Sequence, residues 1–194
     1  MNLWKKFYNA VFTGKCEVQK GSSFDVVDGA TLKLAGTTVD STAAELNRAT
    51  DISARVVTTT ATALSLTVTE HAERVVLINT NSTVANAFTL PVATGSGAKF
   101  TLINGIAQTQ GSIVIKANGT LDTLKGGVVI ADTTAETAMG FIATATDDKY
   151  TFNLTTMGGL GGDVFEAWDT AANSYHVKIT AYGSGSLATG FAAT

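Results

Sequence analysis

The segment Ser174-Tyr-His-Val-Lys-Ile-Thr-Ala-Tyr182 sets Tyr175, Val177, Ile179 and Ala181 at every second position and polar residues between them. A β-strand turns successive side chains to opposite faces, so this spacing predicts a strand with one face in a core. Lys149-Tyr-Thr-Phe-Asn-Leu154 repeats the pattern with Tyr150, Phe152 and Leu154 on one face. Further β-branched and aromatic runs cover 54–60, 63–68, 73–79, 87–90, 99–104, 112–117, 127–131, 138–145 and 163–168. Clusters such as Thr94-Gly-Ser-Gly97, Asn118-Gly119, Thr146-Asp-Asp148 and Gly158-Gly-Leu-Gly-Gly162 separate them as turns. The fold class read from this is all-β: an antiparallel β-sandwich or jelly roll over residues 55–194. Trp168, beside Val164 and Phe165, is expected in the core.

Residues 1–54 read differently. Leu3, Trp4, Phe7, Tyr8, Val11 and Phe12 recur at spacings of three and four, which predicts a short amphipathic helix. So short a helix is marginal alone and needs a partner surface. Asp28-Gly29 between Phe24-Asp-Val-Val27 and Thr31-Leu-Lys-Leu34 is a hairpin signal. Thr42-Ala-Ala-Glu45 has capping-box spacing, predicting a helix of about two turns over 43–49. The segment is expected to be an anchoring arm, and those six apolar residues its attachment surface.

Of the 194 residues, 45% are hydrophobic and only 15% charged, with 19 glycines and the single proline Pro91. A surface so poor in charge favours burial against other chains, so an obligate assembly is expected. The net charge of -3 and the absence of a basic run argue against nucleic acid as a partner. The lone Cys16 allows no internal disulfide, which fits assembly in a reducing cytoplasm. The N-terminus lacks the unbroken apolar run of a signal peptide, and no stretch has the length of a membrane span.

Catalytic motifs fail on inspection. His176 alternates with core residues and should face solvent, and His71 in Thr69-Glu-His-Ala-Glu73 reads as part of a polar turn. Neither finds the further ligands a zinc site needs. Phe12-Thr-Gly-Lys15 lacks the upstream glycine of a phosphate loop and has Cys16 where Ser or Thr belongs. Gly183-Ser-Gly185-Ser-Leu-Ala188 matches a dinucleotide glycine pattern, but too few residues follow for a βαβ unit. Asp147, Asp148 and Asp163 are read as turn formers ahead of calcium ligands. The sequons at Asn81, Asn118 and Asn153 carry no weight in a Thr-rich chain without a signal peptide. No enzyme activity, cofactor or metal is expected.

Two stretches resemble the β-rich head-decoration (cement) and head-fibre proteins of tailed bacteriophages. Val39-Asp-Ser-Thr-Ala-Ala-Glu-Leu-Asn47 is similar to the Thr-Ala-x-Glu-Leu-Asn segment found between anchor and β domain in phage virion proteins, tail fibres included. The order of elements from Phe88 through Ser112-Ile-Val-Ile-Lys-Ala-Asn-Gly119 to Ser186-Leu-Ala-Thr-Gly-Phe-Ala-Ala-Thr194 resembles the same group. Gly190 departs from it where proline is expected, and the first forty residues match no pattern of the group. The resemblance implies a virion structural protein on the outer capsid surface, a homotrimer bound to the major capsid protein and without an active site. A tail-fibre or other receptor-binding component is the alternative. A carbohydrate-binding module would need a surface row of aromatics, and Trp168 is the one tryptophan of the β region.

Overall fold

The computed structural model describes residues 33–34, 37–38, 55–119 and 121–194. The chain divides into two compact units, Met1–Leu46 and Asn47–Thr194. In the first, β1 (Lys33–Leu34) and β2 (Thr37–Thr38) pair antiparallel. The expected N-terminal helix, the Asp28-Gly29 hairpin and the helix over 43–49 lie outside the described residues.

Among its described residues the second unit has twelve strands and a single helical turn. Its strands are β3 (Val56–Thr59), β4 (Ala63–Ser65), β5 (Val75–Ile78), β6 (Asn86–Thr89), β7 (Lys99–Asn104), β8 (Ile113–Lys116), β9 (Thr123–Asp132), β10 (Ala138–Ile142), β11 (Lys149–Phe152), β12 (Val164–Ala171), β13 (Ser174–Gly183) and β14 (Phe191–Ala192). They build a seven-stranded sheet in the order β10-β9-β13-β12-β7-β5-β3 and a five-stranded sheet in the order β14-β11-β8-β6-β4.

The expectation of purely antiparallel sheets is corrected, because both sheets are mixed. β13 runs parallel to β9, β3 to β5, β5 to β7, β4 to β6 and β6 to β8. The other five pairings of these sheets are antiparallel. The cause is the path of the chain. From β3 to β8 it changes sheet after every strand, so each return to a sheet repeats the direction of the previous visit. Parallel neighbours need a long crossover; here the crossover is itself a strand of the opposite sheet. β3 to β8 thus make three turns of a flattened coil.

The two sheets share one continuous core. Tyr175, Val177, Ile179 and Ala181 of β13 are all buried, as are Tyr150 and Phe152 of β11, so the alternation read from the sequence holds. Leu154 ends that run with φ 76° and is only half-buried. Tyr150 packs edge-on against Phe152 and Phe191, with centroids 4.8 and 5.0 Å away. Both large buried phenols donate from their hydroxyls, Tyr150 to the Met157 carbonyl at 3.0 Å and Tyr175 to the Pro91 carbonyl at 2.9 Å. Burial raises the pKa of each, so each stays a neutral donor. Gly190 has no room for a Cβ against Tyr150 and the Thr151 carbonyl, while its own carbonyl accepts from Thr151 N at 2.9 Å. This is the physical reason that glycine suits the closing segment.

Candidate functional site

The six residues expected to attach the chain, Leu3, Trp4, Phe7, Tyr8, Val11 and Phe12, lie outside the described residues, as does Cys16. His71 closes a single helical turn, α1 (Val68–His71), where a polar turn was expected. It is buried, and its Nδ1 accepts from Thr67 N at 3.0 Å; Thr67 caps the turn by accepting from Glu70 N at 3.2 Å. The imidazole therefore serves the local backbone. His176 is exposed on β13, as its alternation implies.

Trp168 corrects the reading that placed it in the core. Phe165 and Ala167 of β12 point inward, so Trp168 points outward from the seven-stranded sheet. Lys99 Nζ lies 5.0 Å over its ring and 2.6 Å from Glu166 Oε1. Both partners of that ion pair reach solvent, so its contribution to stability is small.

The outer face of this sheet can be read off its register. One row runs Gly140, Val129, Thr180, Val164, Ile103, Leu77, Thr58 across all seven strands without a charge. The next runs Ile142, Gly127, Lys178, Glu166, Thr101, Val75, Val56, with its charges confined to the two central strands. Every residue of both rows is exposed or half-buried; Ile142 is 83% exposed, Val129 54% and Val56 52%. A broad face of this kind has the character of an interaction surface. It carries no convergent set of nucleophile, base and orienting group.

The inner polar groups are spent on loops. Asp163, buried at the start of β12, accepts from Gly159 N at 2.5 Å and Leu160 N at 3.2 Å on one oxygen and from Tyr182 N at 2.8 Å on the other. Burial pushes its pKa up to about 6 against these three donors, which favour the anion. Asp169 gathers Thr94 N, Gly95 N and Ser96 N together with the Ser96 hydroxyl at 2.6 Å. Burial acts to raise its pKa, but the donors of Ser96, Gly95 and Thr94 outweigh it and hold the carboxyl below its usual value. Asp122 accepts from Ala93 N at 2.9 Å and Gly119 N at 3.1 Å, and Asp147 from Thr144 N at 2.6 Å. Sequence reading made Asp147 and Asp163 turn formers and missed Asp122, which ties its own turn at Gly119 to the distant Ala93, and Asp169, whose partners lie in a distant loop. Among the described residues no three His, Cys, Asp or Glu side chains gather as a metal site.

Compared with known proteins, the chain matches no family model, no curated sequence and no solved structure.

Proposed function

We propose that this chain is a structural virion protein that binds the outer surface of a tailed-phage capsid, decorating or stabilising it without catalysis. The observation that carries the reading is the seven-stranded face, whose uncharged row crosses every strand. Such a face is stabilised by being covered, and a protein whose work is done by contact area needs one. The buried carboxylates hold loops, which suits a rigid scaffold better than a reacting centre. For the β unit itself we infer a two-layer sandwich: the sheets share one core, and the parallel pairings favour a wound sandwich over a jelly roll, whose strands are antiparallel. Residues 1–54 would be the arm that brings the major capsid protein into contact through Leu3, Trp4, Phe7, Tyr8, Val11 and Phe12.

Removing residues 1–50 tests this. The truncated protein is expected to keep its β-type circular dichroism and to lose binding to heads stripped of decoration, as measured by co-sedimentation. Trp4→Ala with Phe7→Ala should weaken binding in the same direction, by about 1 to 3 kcal/mol for each ring that is fully buried. Heads bound as tightly by the truncated protein as by the intact one would move attachment to the sandwich. A copy number of a handful per particle, in place of hundreds, would favour a tail component.

A further inference from the structure

We propose that the edge formed by β10 is a contact between two copies of this chain, which pair antiparallel about Gly140 and join their large sheets into one. The inference goes beyond the capsid reading and does not depend on it. β10 is the outermost strand of the seven-stranded sheet and, at five residues, the longest of the four edge strands of the two large sheets. Edge strands in monomers are blunted by charge, proline or a bulge. Residues 137–146 contain no charge and no proline, and β10 pairs with β9 through five consecutive residues without a bulge. Among the described residues its outer side therefore offers an unpaired main-chain ladder.

The shape of the patch points to a second copy as its occupant. Gly127 and Gly140 leave a shallow apolar depression bounded by Val129, Phe141 and Ile142. Gly127 must lack a side chain, since a Cβ there would stand 2.8 Å from the Phe141 carbonyl, whereas a Cβ on Gly140 would meet nothing closer than the Val128 carbonyl oxygen at 3.9 Å. Beside this hollow Ile142 projects almost fully exposed. An isologous contact requires one patch to be complementary to itself. When β10 is laid antiparallel on itself about Gly140, Ile142 falls opposite Ala138 and leans diagonally over the Gly140 hollow of the other copy, and Met139 meets Phe141. The absence of charge along the strand means that no like charges face each other in this pairing. With only a few large side chains, the patch falls short of the roughly 800 Å² per partner of a standard interface, so a dissociation constant on the order of micromolar is expected. A two-fold pair differs from the trimer implied by the phage resemblance.

Sedimentation velocity on the full chain between about 1 and 100 μM should show the 20.0 kDa protomer converting to twice its mass. Ile142→Asp, at a position too exposed to disturb folding, should hold the protein at one protomer throughout. In a Cys16→Ser background, Gly140→Cys should cross-link two copies on mild oxidation, because residues facing each other across an antiparallel pair are about 4.5 to 5.5 Å apart at Cα, within disulfide reach. Thr58→Cys, on the opposite edge, should not. A single protomer at every concentration with no cross-link overturns the proposal. So does a dimer that Ile142→Asp leaves intact, or a closed trimer, which a two-fold contact cannot build.

Discussion

Gly126→Ala should abolish the native fold. Gly126 lies within β9 at φ 139°, a conformation that side chains rarely adopt, and a Cβ there would run into the carbonyl oxygen of Val177. That oxygen belongs to β13, which pairs with β9 through ten consecutive residues, from Ser174 opposite Thr123 to Gly183 opposite Asp132. The obstacle is main chain, so no rotamer change relieves it and the strands must part. Strained φ alone costs about 1 to 3 kcal/mol. Loss of neighbouring ladder bonds at a buried position adds about 1 to 3 kcal/mol for each group left unpaired. Together these approach the roughly 5 to 15 kcal/mol that holds a domain folded. Circular dichroism and thermal melting would measure the effect, with Gly140→Ala as control. At Gly140 the nearest atom to an added Cβ is 3.9 Å away and φ is ordinary, so its stability should change by less than about 1 kcal/mol. A wild-type melting temperature for Gly126→Ala would mean that β9 and β13 are not paired as described.

The second large effect is expected at Asp163. Asp163→Ala strips acceptors from Gly159 N, Leu160 N and Tyr182 N at once. The loop that loses them turns on Gly158, Gly159 and Gly162, all at positive φ, so it has little intrinsic preference for its native path. A loss of about 3 kcal/mol or more in chemical denaturation is expected. The sign of the pH dependence follows from burial. The folded carboxyl has a pKa of about 6, above its unfolded value of 3.8, so the folded state holds the proton more tightly. Its contribution to stability is greatest below about pH 4, falls as pH rises toward 6 and levels off above that. The whole span is up to about 3 kcal/mol. Asp163→Asn should remove this slope from the wild-type profile between pH 4 and 7; an unchanged slope would assign the dependence to other groups.

The face each strand buries was legible in the sequence, while the direction of its neighbours was not. Alternation in 174–182 selected Tyr175, Val177, Ile179 and Ala181, and all four are in the core. Alternation says nothing about whether the adjacent strand runs up or down, and the exchange of the chain between sheets from β3 to β8 made four pairings parallel, with β9 and β13 adding a fifth. Trp168 was misplaced because its apolar neighbours Val164 and Phe165 were weighed above its parity; counting from Phe165 and Ala167 puts it outside. The outer face also left a trace. Val75-Val-Leu-Ile78 is apolar at every position, the mark of a strand covered on both sides. Asp122 and Asp169 could not be found, since each joins segments brought together only by folding: Asp169 reaches loop residues more than seventy positions earlier.

The middle of the seven-stranded sheet is occupied by β13 and β12, the last two strands of that sheet to leave the ribosome. Their partners β9 and β7 are made roughly fifty and sixty residues earlier and cannot complete their ladders until β12 and β13 have followed. The three coil turns can form on their own schedule, through pairings closer in sequence, but the large sheet closes from its edges inward and late. A chain interrupted before β12 would leave two half-sheets with open edges, the species from which aggregation starts.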